Sequence, residues 1–182
     1  MKKVVLGILL LICMFCICGC GMEKSARDVA IKYLELYRNK DKVVINELDE
    51  FIENENLTDE QKEKYKDILE REYGTLMYKV VDEQYEGNVA FITMEITVFD
   101  LYNSQEESAK YFNDKPTKFN DEDGEYDREM YTDYKLDMMS KETDTVTYTI
   151  DIKVEKDGDD WKVVQLSNES LEKIHGIYNY EE

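Results

Sequence analysis

The acid–base chemistry open to this 182-residue chain is limited by its single histidine, His175. A Ser-His-Asp triad or a histidine-based metal site would have to use this residue. The periodicity places His175 on the polar side or edge of the last predicted helix, and no motif pairs it with an aspartate. The sequence therefore predicts no catalytic residues.

Tyrosine is abundant, with 14 residues in the chain. Some tyrosines fall at helical or strand spacing on the faces predicted to point inward. One interpretation is a pocket lined by aromatic rings, whose hydroxyl groups orient a ligand. The other is a core filled with large side chains whose hydroxyl groups reach the surface, and spacing alone accounts for that arrangement. The residues of this possible pocket are Tyr33, Tyr37, Tyr65, Tyr78, Tyr134 and Tyr148.

An acidic segment, 121–125, is the strongest candidate for a metal site. An EF-hand loop needs glycine at its sixth position and a bidentate glutamate at its twelfth. Counted from Asp121, those positions hold Tyr126 and Thr132. The segment is therefore predicted to be a solvated loop, and no metal or other cofactor is expected.

Cys20 follows a short apolar segment at the start of the chain. Lys2 and Lys3 precede an apolar run, 4–17, that only Gly7 interrupts. This is the layout of a secretory signal. Because a small residue directly precedes Cys20 and a branched aliphatic residue lies three positions before it, the ending resembles the lipobox of bacterial lipoproteins. The resemblance implies that Cys20 receives a diacylglyceryl group and becomes the first residue of the mature protein.

The alternative for this segment is an uncleaved transmembrane anchor. The apolar run is shorter than the ~20 residues that cross a bilayer. An acidic segment containing Glu23 follows it, where a stop-transfer anchor would have basic residues. The sequence thus predicts a signal peptide over 1–19, a short tether over 20–25 and a single domain over 26–182. The protein is expected at the extracytoplasmic face of the cell membrane, anchored by lipid.

Composition restricts the partners of the mature domain. The formal net charge is −19, and removal of Lys2 and Lys3 with the signal makes the remaining chain more acidic. So acidic a domain repels phosphate backbones and anionic lipid surfaces, and no nucleic-acid partner is expected. No cysteine follows Cys20, so the domain must fold without disulfides.

Three helices are predicted before any strand. The first runs from Ser25 to about Asn39, and Asp41 caps the second. A capping box, Thr58-Asp59-Glu60-Gln61, begins the third, which Gly74 is expected to end.

Beyond Gly74 the apolar period changes from near four to two, which predicts two hairpins. Gly87-Asn88 forms the turn of the first, and 156–160 forms the turn of the second. A helical insertion separates them. It has one helix from the box Ser104-Gln105-Glu106-Glu107 to Phe112, a loop, and another helix from Tyr126 to Ser140. The second of these is expected to present Met130, Tyr134 and Met138 on one face. A last helix is predicted from Asn168 to Tyr178.

Segregated helices and antiparallel strands predict an α+β fold, with N-terminal helices packed on a curved sheet of about four strands. The element order, together with the hairpin Lys156-Asp157-Gly158-Asp159-Asp160-Trp161-Lys162-Val163, resembles the nuclear transport factor 2-like family of the cystatin-like fold. The closest likeness is to its small bacterial lipoproteins. The resemblance implies a cone-like sheet with a pocket between sheet and helices.

Two functions follow from that resemblance. The first is a non-enzymatic binding or interaction module for a small ligand or an envelope protein. The alternative is a small isomerase- or dehydratase-like enzyme that uses the cone pocket. Because no Asp–His pair can be assigned to the cone, binding is the expectation.

Overall fold

The computed structural model describes residues 25–164 and 166–180. The predicted signal peptide, Cys20 and nearly all of the tether lie outside these residues. The helices are α1 (Ala26–Arg38), α2 (Lys42–Glu53), α3 (Asp59–Thr75), α4 (Leu101–Asp114), α5 (Arg128–Lys141) and α6 (Asn168–Ile174). The strands are β1 (Met77–Glu86), β2 (Val89–Phe99), β3 (Thr145–Asp157) and β4 (Asp160–Val163), and Pro116–Phe119 forms a short 3-10 turn.

The predicted α+β class is confirmed. Three N-terminal helices precede a curved, unclosed sheet, the helical insertion lies between its two hairpins, and a helix ends the described chain. The four strands are antiparallel in the order β1-β2-β3-β4. No helix within the described ranges has both the length and the apolar character needed to cross a membrane.

The predicted helix starts follow from side-chain caps. The Ser25 hydroxyl accepts the Asp28 backbone N–H, and the Asp28 carboxylate accepts the Ser25 N–H in return. Thr58 and Gln61 form the same reciprocal box at the start of α3, as predicted. Gly74, however, does not end α3. It lacks the positive φ of a glycine stop, and the helix continues to Thr75 before the buried Leu76.

The sheet holds the core on its inner face. Every second residue of β2, from Ala90 to Val98, is buried, and β3 contributes a matching row that includes Ile150 and Ile152. Helix α1 lies across this face, contacts all four strands and buries Ala26, Ala30, Leu34 and Tyr37 there. The helical insertion leaves the sheet and returns to it at paired positions, because Phe99 and Thr145 are opposite each other on β2 and β3.

Helix α4 begins earlier than predicted. Asp100 caps it by accepting the Asn103 N–H, and the helix runs from Leu101 to Asp114. The expected cap, Ser104, lies inside the helix with its hydroxyl donating to the Glu142 carboxylate. The predicted capping box is therefore wrong, because a buried Leu101 makes the preceding turn helical and Glu142 takes the serine hydroxyl.

Helix α5 turns a different face inward from the one predicted. Thr132, Leu136 and Met139 are buried, whereas Met130 is 41% exposed. Tyr134 points towards α4, where its ring stacks on Tyr111 with centroids 5.0 Å apart. The insertion is thus held by two contacts, an aromatic one between its own helices and an aliphatic one with the core.

A set of hydrogen bonds fixes the end of the insertion, and a glycine conformation ends the last helix. The Arg71 guanidinium on α3 donates to the carbonyls of Met139, Ser140 and Glu142, so it ties α3 to the end of α5. Helix α6 is shorter than predicted and ends at Ile174, because Gly176 has a φ of 69°.

Candidate functional site

The six tyrosines of the predicted pocket lie in several places. Tyr33 and Tyr37 contact each other edge to face on α1, with ring centroids 5.7 Å apart. The other four have different neighbours: Phe51 beside Tyr65, Arg38 over Tyr78, Tyr111 against Tyr134 and Tyr178 against Tyr148. The structure therefore brings two of the six together and distributes the rest along the fold.

His175 is inside the protein, which corrects its predicted position on the polar side or edge of the last helix. It is only 7% exposed, and its Nε2 lies 2.8 Å from the Tyr73 hydroxyl oxygen. Its ring packs on Phe51, with centroids 5.2 Å apart. Burial lowers the pKa of His175 to about 4, so the imidazole is neutral at pH 7. The sequence pattern missed this pair because the two residues are far apart in the chain.

A small cavity lies beside this pair and is called here the His175 cavity. Its volume is about 90 Å³. Burial raises the pKa of Tyr73 far above that of a free phenol, so the Tyr73 hydroxyl stays protonated. The cavity has room for a few water molecules and is much smaller than the ≈ 300–1,000 Å³ typical of pockets for drug-sized ligands. Its lining is Tyr37, Val44, Glu47, Leu48, Phe51, Tyr73, Leu171 and His175.

A larger opening lies where the helical insertion meets α2, α3 and the chain after α6, and is called here the Lys135 cleft. Its volume is about 220 Å³. Apolar and polar side chains contribute similar shares of its walls. The apolar residues are Phe51, Leu57, Leu136, Met139 and Ile177, and the polar ones are Glu55, Tyr65, Gln105 and Lys135.

The Lys135 ammonium group is the distinctive charge of this cleft. The side chain is half-buried, and desolvation lowers its pKa below the ordinary lysine value, although Glu55 opposes the shift. None of the ion pairs formed within residues 25–164 and 166–180 includes Lys135. A positive charge is thus held in a cleft of mixed polarity without a carboxylate at salt-bridge distance.

Of the six tyrosines in the predicted pocket, only Tyr65 lines this cleft. Burial raises the pKa of its hydroxyl, which remains a neutral hydrogen-bonding group. The sequence did not distinguish Lys135 from a surface lysine, because a lysine between Tyr134 and Leu136 is also typical of the exposed edge of an amphipathic helix. Its partial burial depends on α2 and α3, which lie far away in the chain.

Glu72 is a second titratable group that the sequence did not single out. Its carboxyl group is fully buried, and both oxygens accept the Phe99 backbone N–H at 3.0 Å. Desolvation raises the pKa of Glu72 to about 8, although the Phe99 N–H and the Arg71 guanidinium oppose the shift. Glu72 does not line either cavity, and its contact joins α3 to the end of β2.

The acidic segment behaves as the predicted loop. The Asp121 carboxylate accepts the backbone N–H groups of Asp123 and Glu125, so it closes its own turn. Within the described residues, no group of three or more histidine, cysteine or acidic side chains is arranged to hold a metal ion. No protein-family model, curated protein or solved structure matches this chain.

Proposed function

We propose that the protein is a non-enzymatic binding module, anchored at the extracytoplasmic face of the cell membrane through a diacylglyceryl group on Cys20. The order of basic residues, apolar run, glycine and cysteine at the start of the chain supports the anchor. A single acyl chain holds a protein only marginally, whereas two chains give stable attachment. The diacylglyceryl group supplies both chains.

The Lys135 cleft is the binding site, and its ligand is a small molecule with an apolar body and an anionic group. The observation that carries this proposal is the half-buried Lys135 ammonium without a carboxylate partner in the described chain. Partial burial of an unpaired charge costs free energy, and a bound anion offsets that cost. The apolar residues on one part of the lining, among them Leu136 and Met139, favour an apolar ligand body.

The size of the cleft limits the ligand. Its volume of about 220 Å³ is smaller than the ≈ 300–1,000 Å³ typical of pockets for drug-sized molecules. A short-chain monocarboxylate, or one acidic side chain and its neighbour in a peptide, is of suitable size. Gln105 and Tyr65 add neutral hydrogen-bonding groups beside the ammonium.

An enzyme of the isomerase or dehydratase type is the alternative. Such an enzyme would use the Tyr73–His175 pair as its acid–base group. The His175 cavity beside that pair has only about 90 Å³. Its volume does not support substrate binding, and we therefore favour binding at the Lys135 cleft.

The anchor is tested by Cys20→Ser. This variant should leave the membrane fraction or remain unprocessed, because no sulfur is left for the lipid. Cys18→Ser is the matched control, since Cys18 lies within the predicted signal peptide, and it should behave as wild type. Retention of Cys20→Ser in the membrane at the normal mature mass would contradict the proposal.

The ligand site is tested by titrating the full-length protein, purified from membranes, with hexanoate, hexanol and hexylamine. Binding is followed through the NMR signal of the Met139 methyl group. Hexanoate should bind best, and Lys135→Met should weaken it about tenfold, because a hydrogen bond to a charged group contributes ~1.5–3 kcal/mol. Lys110→Met removes an exposed lysine of α4 and should change nothing. If none of the three probes shifts Met139, the cleft is not the binding site.

A further inference from the structure

The beginning of α1 lies beside the end of β1. Arg27 Nη1 is 3.0 Å from Glu83 Oε1, and the other carboxylate oxygen of Glu83 accepts the Tyr85 hydroxyl at 2.9 Å. Because α1 starts at Ala26, these bonds place the point where the tether enters the domain next to Tyr85.

Tyr85 belongs to an aromatic pair that joins the two edges of the sheet. Its ring meets Trp161 of β4 edge to face, with centroids 6.1 Å apart, and the Lys156 ammonium lies 5.4 Å from the Trp161 ring. Tyr85 is 52% exposed although it is a large aromatic residue. Arg27, Tyr85, Lys156 and Trp161 together are called here the Trp161 face.

The distance from the lipid-bearing residue to this face is limited by covalent geometry. Cys20 lies five positions before Ser25, and a fully extended chain spans at most ~3.6 Å per residue, which gives about 18 Å. The domain surface near Ser25 must therefore lie close to the bilayer whenever Cys20 carries a lipid.

We propose that the Trp161 face rests on the lipid surface, with the rings of Tyr85 and Trp161 at the level of the headgroups. This inference rests on the anchoring at Cys20 proposed above. Tyrosine and tryptophan prefer the membrane interface, because their rings are apolar and their polar atoms stay hydrated. Lys156 adds a positive charge that favours phosphate groups, whereas Glu83 offsets the charge of Arg27.

The neighbouring turn limits how deeply the face enters the bilayer. Asp157, Asp159 and Asp160 are exposed beside Trp161, and ionised carboxylates are costly to move into hydrocarbon. The rings therefore stay in the headgroup layer. Since two acyl chains already hold the protein, this contact orients the domain and adds little to its attachment.

The proposed orientation places the helical insertion away from the membrane. The turns at 87–88 and 158–159 are at the same end of the sheet as the Trp161 face, whereas the insertion leaves from the opposite end of β2. The 11 residues of β2 span about 35 Å at ~3.4 Å per residue. The Lys135 cleft, which the insertion helps to form, thus opens far from the lipid surface.

Trp161 is the single tryptophan of the chain and reports directly on this contact. The experiment reconstitutes the full-length lipidated protein in phosphatidylcholine vesicles that carry a nitroxide either on the headgroup or at the twelfth acyl carbon. Trp161 fluorescence should be quenched more strongly by the headgroup label than by the deep label. Tyr85→Ser should weaken the quenching without releasing the protein from the vesicles.

A matched variant moves the fluorophore to the other end of the domain. Trp161→Phe combined with Tyr126→Trp places tryptophan in the helical insertion, at a position where the native tyrosine is 51% exposed. Neither label should quench it, and circular dichroism should confirm that the variant is folded. Equal quenching at both positions, or none at Trp161 in vesicle-bound protein, would overturn the proposed orientation. In both of those cases the protein is still attached, whereas loss of the wild-type protein from the vesicles would contradict the anchor itself.

Discussion

The Tyr73 hydroxyl and the His175 imidazole form a buried hydrogen bond between α3 and the residue that follows α6, across 102 positions of the chain. Both groups are neutral at pH 7, because burial lowers the pKa of His175 to about 4 and raises that of Tyr73. The ring of Tyr37 packs edge to face on Tyr73, at 5.2 Å between centroids. The bond therefore fastens the last helix to the N-terminal helices inside an aromatic environment.

Breaking this bond from either side should destabilise the domain. Tyr73→Phe leaves a buried imidazole nitrogen unpaired, and His175→Leu leaves a buried hydroxyl unpaired, at a cost of ~1–3 kcal/mol each. The double variant should lose less than the sum of the two, because it leaves neither polar group behind. Urea unfolding measures the free energy of unfolding of the two single variants and of the double variant. Tyr126→Phe, at an exposed position, should stay within ~0.5 kcal/mol of wild type. Strict additivity of the two changes would refute the coupling.

His175 should make the domain sensitive to acid. The pKa of His175 in the folded protein, about 4, is lower than its ordinary value of 6.5. Its contribution to stability is therefore present above pH 6.5 and is lost as the pH falls towards 4. We expect wild type to lose more stability than His175→Leu between these pH values, as measured by urea midpoints. Parallel loss in the two proteins would show that the pKa of His175 is the same in the folded and the unfolded protein.

Glu72 should act in the opposite direction. The pKa of Glu72 in the folded protein is about 8, above its ordinary value of 4.5, so the stability it provides is full below pH 4.5 and is lost as the pH rises through 8. Glu72→Gln keeps an oxygen that accepts the Phe99 N–H and cannot ionise. This variant should therefore gain stability over wild type as the pH rises, in urea unfolding at several pH values.

The matched control for Glu72 is Asp159→Asn, which removes an exposed carboxylate in the β3–β4 turn. It should leave the pH dependence unchanged. A wild-type profile as flat as that of Glu72→Gln would mean that the carboxyl group titrates normally.

Two glycines with similar φ angles should lose different amounts of stability when they are replaced by alanine. Gly176 has a φ of 69°, and a Cβ there would lie 2.4 Å from the Phe99 carbonyl oxygen. Gly87 has a φ of 63°, and a Cβ there would meet open space, with nothing beyond its chain neighbours within 4 Å among the described residues. Gly87→Ala should lower the free energy of unfolding by ~1–2 kcal/mol, the cost of a left-handed backbone conformation at a residue with a Cβ. Gly176→Ala adds the steric overlap with the Phe99 carbonyl and should lower the free energy of unfolding by ~2–5 kcal/mol. Equal losses in thermal or urea unfolding would show that β2 moves away from Gly176 at no cost.

Local patterns predicted the parts of the fold that depend on local interactions. The apolar period of two beyond Gly74 predicted the hairpins, and β2 buries every second residue from Ala90 to Val98, because a strand presents alternate residues to the same face. Thr58 and Gln61 identified the start of α3, because a capping box depends only on residues three positions apart. At Ser104 the same kind of motif failed, since a more distant carboxylate took the serine hydroxyl.

The candidate site was much harder to predict. The helical periodicity suggested a position for His175 on the polar side or edge of the last helix, whereas contacts with Tyr73 and Phe51 bury it. The surroundings of Lys135 likewise come from helices that precede it by many residues. Residue type and spacing indicated which side chains are capable of chemistry, but tertiary contacts decided which of them face a cleft.

The paired positions of Phe99 and Thr145 have a consequence for how this protein can diversify. Because the chain leaves the sheet and returns to it on one rung, the segment between them can change in length or sequence while the strand register stays the same. That segment supplies Gln105, Lys135 and Leu136 to the Lys135 cleft. If the cleft binds a ligand as proposed, part of its specificity belongs to an exchangeable module that can evolve or be engineered without rebuilding the scaffold.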